Sequence, residues 1–166
     1  MDKPFYHRIR AAALVVNQGK LLLVKHVHPD TGSTFWVPPG GGLNAGTETI
    51  FDTAIREVYE ETGLRVTLGR ILYIKEFVDL ETNVHHVEFF MLAETFKGEP
   101  TIANLDSQES GRVYIKEARF LSPADMQGRN VFPEILKDGF WQDLKSGAPT
   151  RYLGQTSGDT RKLSKE

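Results

Sequence analysis

The sequence predicts an α+β fold in one domain. Strand-like runs come first, one helix interrupts them, more strands follow and a second helix closes the pattern. That order is not a regular βαβ repeat. The central helix is marked at both ends by capping residues. The 166 residues, 40% apolar and 25% charged, are enough for one sizeable core.

Residues 8–16 (RIRAAALVV) read as a strand, Asn17-Gln18-Gly19 as a turn and residues 20–28 (KLLLVKHVH) as a second strand. The two are expected to pair as a hairpin. Residues 29–33 form a loop. Phe35-Trp36-Val37 is extended and stopped by Pro38-Pro39. Gly40, Gly41 and Gly42 follow, a backbone that must turn sharply or approach something closely.

Residues 50–62 read as a helix, with Thr49 and Asp52 as a capping box and Gly63 as the stop. On a helical wheel Phe51, Ala54, Ile55 and Val58 form the expected buried face. Glu57, Glu60 and Glu61 form an acidic stripe beside it. Residues 64–80 and 84–95 are strand material, 97–110 loop-like, and 111–121 strand again. Residues 133–145 read as a second helix with Ile135, Leu136, Phe140, Trp141 and Leu144 as its apolar stripe. Residues 1–153 make up the expected domain. Residues 154–166 (GQTSGDTRKLSKE) are small and polar, and are expected to be a flexible tail.

Composition excludes several classes. A net charge of −2 does not suit a duplex nucleic acid partner. There are no cysteines, hence no disulfide framework, zinc-thiolate site or cysteine nucleophile. The first ten residues lack an apolar signal run, and the longest apolar runs are too short to span a bilayer. A soluble, cytoplasmic protein is the expectation.

The acidic stripe poses a physical problem. Like charges three and four residues apart destabilise an isolated helix by roughly 0.2–0.5 kcal/mol per pair. A hard divalent cation such as Mg²⁺ or Mn²⁺ prefers oxygen ligands and would relieve that repulsion. Solvated charge is the ordinary reason for such a stripe, but here glycines and Arg56 flank it.

Residues 42–64, GLNAGTETIFDTAIREVYEETGL, resemble the Nudix box, G-x5-E-x7-R-E-U-x-E-E-x-G-U, where U is bulky and apolar. All nine specified positions match: Gly42, Glu48, Arg56, Glu57, Val58, Glu60, Glu61, Gly63 and Leu64. The likeness extends roughly from Ile9 to Leu144, through the W-x-P-x-G approach and the later SPADM segment. It implies an α/β/α sandwich with a mixed sheet between helices. It implies hydrolysis, by water, of the pyrophosphate link in a nucleoside diphosphate derivative. By the same match Glu57, Glu60 and Glu61 are ligands for Mg²⁺ or Mn²⁺, and Arg56 and Glu48 hold those ligands in place. The family often dimerises, so a homodimer is among the expectations.

The resemblance implies a glutamate base, Glu57 by one family pattern or else one in a later loop, where Glu109 is the candidate and Asp106, Glu99 and Glu117 compete with it. Other residues are candidates on their own chemistry. Gly41 and Gly42 would form a substrate loop. Lys25, Arg10 and Arg70 are candidates for phosphate contact. Trp36, Phe77 and Phe35 are candidates for stacking on a base, with core packing as the competing role. His85 and His86 point to opposite faces of one strand, so they do not chelate one ion. Glu88 shares the side of His86 and faces either the site or a cross-strand lysine.

Two rival readings remain. A non-catalytic Nudix-like sensor would have lost box glutamates, which are all present. A prenyl diphosphate isomerase on the same fold leans on a cysteine, which is absent. Substrate markers known in the family are missing: Leu80 stands where some ADP-ribose hydrolases have proline. Glu81 and Thr82 stand where some dinucleoside polyphosphate hydrolases have tyrosine. Nucleoside triphosphates, nucleotide sugars and ADP-ribose remain open.

Overall fold

The computed structural model describes residues 4–105 and 114–166. Nine strands and three α-helices follow in chain order among these residues. The strands are β1 (Tyr6–Leu14), β2 (Val16–Asn17), β3 (Lys20–Val27), β4 (Thr34–Val37), β5 (Gly40–Gly42), β6 (Arg65–Asp79), β7 (Val84–Lys97), β8 (Ile115–Leu121) and β9 (Arg151–Gly158). The helices are α1 (Ile50–Thr62), α2 (Pro123–Met126) and α3 (Gly139–Ser146).

The strands form two sheets. One has five strands in the order β5-β1-β7-β6-β9, and the other joins β2, β3, β4 and β8 around β3. The first sheet is mixed: β1 runs parallel to β7 and β6 parallel to β9, while β5 and β6 meet their other neighbours antiparallel. The α+β class is as expected, with the strand material divided between two sheets.

The expected hairpin is much shorter than the sequence suggested. Only Val16 and Asn17 pair with Leu21 and Lys20. The chain before Val15 pairs with β5 and β7 in the other sheet. The turn itself is tight: Gln18 and Gly19 both have positive φ, 49° and 73°, as a two-residue type I′ connection requires. Both faces of β1 and β3 are covered. Leu21 and Leu23 enter one apolar cluster with Leu14, Trp36, Tyr73 and Phe140, while Leu22 enters another with Ala13, Val58 and Leu64. Burial on both faces explains why these strands read as unbroken apolar runs.

Helix α1 has the expected limits. Thr49 and Asp52 form the reciprocal capping box, and Gly63 adopts the left-handed conformation at φ 72°, donating its N–H to the Tyr59 carbonyl. The segment expected as one second helix is instead a 3₁₀ turn, Glu134–Lys137, followed by α3. Asp138 leaves the helical region (φ −143°) and its side chain caps Gly139, a bond that competes with helix continuation. The apolar stripe still reaches the core: Leu136 and Phe140 are fully buried.

The expectation of a flexible polar tail from Gly154 is corrected by β9. Glu76, Phe77 and Val78 pair with Gln155, Thr156 and Ser157. Beyond it, Ser33 donates to the Thr160 carbonyl at 2.6 Å and Trp36 Nε1 donates to the Glu166 carboxylate at 3.1 Å. Main-chain hydrogen bonds at a sheet edge do not need apolar side chains, so the polar composition gave no sign of the strand.

Candidate functional site

Two neighbouring regions make up the site: a polar knot on α1 and a cavity beside it. The knot is centred on Arg56. Its Nε and Nη2 donate to the two Glu48 oxygens at 3.0 and 2.8 Å. Its Nη1 donates to Glu57 Oε1 at 2.7 Å and to Glu60 Oε2 at 3.0 Å. Nη2 also reaches the Gly42 carbonyl at 3.3 Å. The two-pronged bond to Glu48 fixes the guanidinium plane. Glu48 is held in turn by the Asn44 N–H and the Thr53 hydroxyl. Arg56 is the main cause that lowers the Glu48 carboxyl to a pKa of about 2, with the Asn44 and Thr53 bonds adding to it.

Strand β5 explains how carboxylates are accommodated on the inner side of α1. Glu57 and Glu61 are 6% and 5% exposed, whereas Ile55, expected on the buried face, is 40% exposed. The glycine strand is the reason. A Cβ on Gly41 would overlap the Glu57 carboxylate, and one on Gly42 would overlap the Arg8 guanidinium. The Gly40 N–H donates to Glu61 Oε2 at 3.2 Å. Side-chain-free backbone thus leaves polar room where an apolar contact was expected, and the repulsion along the stripe is offset by Arg56.

The donor set suits a hard cation: three carboxylates at the first, fourth and fifth positions of one helical stretch, two of them buried. As the side chains lie, no three Asp, Glu, His or Cys groups are gathered at ligand spacing among the described residues. Arg56 occupies the position between Glu57 and Glu60. Its bonds to them would have to loosen for both to turn toward one ion.

The cavity has a volume of about 1060 Å³. Arg8, Arg10 and Lys75 contribute its cations, and Phe35, Phe77 and Phe132 its aromatic walls. Arg10 Nε pairs with Glu88 at 3.2 Å. Lys75 stands opposite Glu88 in the β6–β7 register, so Glu88 satisfies both expectations for it. Burial raises the Glu88 pKa, against the opposing pull of Arg10 and Lys75.

The other candidates are scattered. His86 lines the cavity, while His85 turns away to Glu76 at 2.6 Å, as alternation on a strand predicts. Trp36, a candidate for stacking on a base or for core packing, is fully buried in the core. A ring with no exposed face offers none to a ligand. Lys25 lies over that ring, 5.6 Å from its centroid, and 3.6 Å from Glu166; it does not line the cavity. Arg70 and Glu99 are exposed, and Glu117 pairs with Arg119. Glu109 and Asp106 lie outside the described residues. Arg8 was not singled out, although it sits two residues before Arg10 and therefore on the same side of β1. His26 gave no signal, since a lone histidine in an apolar strand is ordinary.

Comparison with known proteins agrees with this geometry. The family model for the NUDIX domain matches residues 6–138. Nudix hydrolase 6 of Arabidopsis thaliana is 32% identical over 111 residues, which is 63% of this chain and 36% of that protein. Diphosphoinositol polyphosphate phosphohydrolase 3-alpha of Mus musculus is 36% identical over 75 residues, 45% of this chain and 42% of that one. The chain therefore matches less than half the length of either relative. A solved Nudix hydrolase from Nitrosomonas europaea superposes with a TM-score of 0.64 over 89% of this chain and 93% of its own, at 22% identity, a likeness of fold. With the family model spanning most of the chain and the box residues running from β5 through α1 to Leu64, the chain belongs to the Nudix hydrolase family.

Proposed function

We propose that this protein hydrolyses the pyrophosphate link of a nucleoside diphosphate derivative, with Mg²⁺ or Mn²⁺ held by Glu57, Glu60 and Glu61. Nudix hydrolases generally use divalent metal ions. The observation that carries the reading is the Arg56 knot, which ties Glu57 and Glu60 of α1 to Glu48 in the segment before it, beside the buried Glu61. A bound divalent ion would neutralise pyrophosphate charge and acidify a water.

The chain's own residues do the rest. Arg56 gathers the Glu48, Glu57 and Glu60 carboxylates around one guanidinium. Gly41 leaves room for the Glu57 carboxylate, which is our first choice for taking the proton of the attacking water. Arg8 stands between the knot and the cavity, against Gly42 and lining the cavity wall, where a substrate phosphate would cross. Positioning and charge stabilisation are most of what phosphoryl transfer asks of a protein.

Cavity charge favours a nucleotide over an inositol pyrophosphate such as the name of the mouse relative indicates. Arg8, Arg10 and Lys75 are outnumbered there by Asp79, Glu81, Glu88, Glu134 and Asp159. A ligand carrying many phosphates would require the opposite balance. Among the described residues no helix is long and apolar enough to cross a membrane, and a cysteine-free chain suits the reducing cytoplasm we assign to it. The decisive assay is hydrolysis of a panel of nucleoside triphosphates, nucleotide sugars and ADP-ribose with Mg²⁺, with Mn²⁺ and with EDTA. Activity restored only by metal supports the reading. Full activity in EDTA sinks it.

A further inference from the structure

The cavity contains a feature that pyrophosphate chemistry does not use. His26 on β3 and His86 on β7 both line it, from different sheets. Each lies against a cross-strand aromatic partner. His26 stacks on Phe35 with centroids 4.8 Å apart and planes 11° apart, and His86 on Phe77 at 6.3 Å and 17°. The ring Nδ1 of each is shut off from solvent and has no hydrogen-bond partner among the described residues. A buried polar atom left unpaired is destabilising by roughly 1–3 kcal/mol, and two such atoms on the wall of one cavity call for an explanation.

We propose that His26 and His86 are a specificity pair that hydrogen-bonds the edge of the substrate's nucleobase inside this cavity. The inference rests on the hydrolase reading for the identity of the ligand. A half-turn about Cβ–Cγ exchanges Nδ1 with Cδ2 while keeping the ring plane, so either nitrogen can meet a ligand without breaking the stack. A neutral imidazole carries one donor and one acceptor, the pattern presented by base edges. Burial, followed by the charge of nearby Arg10, lowers both histidines to a pKa of about 4, so both are neutral at pH 7. Phe35, Phe77 and Phe132 are only half-buried and offer flat apolar faces, which suit an aromatic base better than a second sugar. Arg8 and Arg10 stand between this pair and α1 to receive the phosphates.

The test is binding, read separately from turnover. Protein labelled with ¹⁵N-histidine is titrated with AMP, GMP, CMP, UMP and ribose 5-phosphate. At least one mononucleotide should shift the ring nitrogens of both His26 and His86, and should bind about ten-fold more tightly than ribose 5-phosphate, as two modest hydrogen bonds allow. His26→Leu and His86→Leu should each erode that preference. His86→Asn keeps a hydrogen-bonding group near the Nδ1 position and should restore part of it. Equal affinity for ribose 5-phosphate, or no response of the histidine rings, overturns the proposal. Should the leucine variants fail to fold, the wild-type titration decides alone. Ring shifts without hydrolysis of any pyrophosphate would remove the hydrolase reading and leave this one. Hydrolysis without ring shifts would do the reverse.

Discussion

All three guanidinium nitrogens of Arg56 are engaged on α1, whereas two buried imidazole nitrogens in the cavity a short way off have no partner among the described residues. The first region is saturated with its own hydrogen bonds and holds its geometry in the absence of substrate. The second is left incomplete. The contrast fits a division of labour in which one region keeps its carboxylates gathered around Arg56, a hold that a cation would have to loosen, and the other accepts something from outside. It also separates what can be damaged by rearrangement from what can be damaged by removal.

The strongest way to break the saturated region is at its carboxylates. Glu57→Gln should lower kcat by about 10²–10⁴-fold, the range for losing a general base. Its melting temperature should stay near the parent's, since the amide keeps the shape and one acceptor for Arg56. Parent-like kcat would move the base elsewhere, with Glu109 next. Gly41→Ala attacks the same group by volume alone. Its Cβ would overlap the Glu57 carboxylate and displace it, and an ångström-scale misplacement is worth about 10²-fold in rate. An unchanged rate for Gly41→Ala would show that Glu57 does not need its present position.

Much of the saturated region was legible in sequence because its signals are local. Thr49, Asp52 and Gly63 mark the helix limits within single turns, and Glu48, Arg56, Glu57 and Glu60 meet within three turns of chain. The burial of Glu57 and Glu61 was not legible. A wheel places Ile55 inward by hydrophobicity, and only the approach of Gly40–Gly42 from another strand reverses the order. The cavity was hidden for a stronger reason. Its residues come from β1, β3, β6, β7 and the chain beyond Gly154, and no short window contains their relation. Trp36 took the competing role named for it: the ring is fully buried, with Lys25, Arg119 and Arg129 lying over it.

The unsaturated region predicts a pH effect. His26 and His86 have folded pKa values of about 4 against 6.5 for the free side chain. Between those values the unfolded chain binds more protons than the folded one, so stability rises with pH across the window. The contribution is complete above pH 6.5 and is lost as pH falls toward 4. The melting temperature should therefore drop from pH 6.5 to 4, and His26→Leu combined with His86→Leu should flatten that slope. A slope unchanged in the double variant would place the proton uptake at other groups. The smallest effect is expected at the start of α1. Thr49→Ala removes the cap and should destabilise by about 1 kcal/mol in urea unfolding, with kcat retained because Arg56 still holds the carboxylates. A loss of rate larger than the loss of stability would mean that the helix start takes part in placing them.

Strand β9 and the residues after it have a consequence for how this protein could diversify. Thr156, Ser157, Asp159, Thr160 and Leu163 form one wall of the cavity, yet they touch none of the chemistry on α1. If the proposed function holds, drift in residues 156–163 could reshape what the cavity admits while leaving the carboxylates of α1 in place. Recombination at Gly147, between α3 and β9, would exchange that wall as a unit. Under the proposed function, part of what the cavity admits would then be inherited apart from the carboxylates of α1, although His26 and His86 would stay with the main sheets.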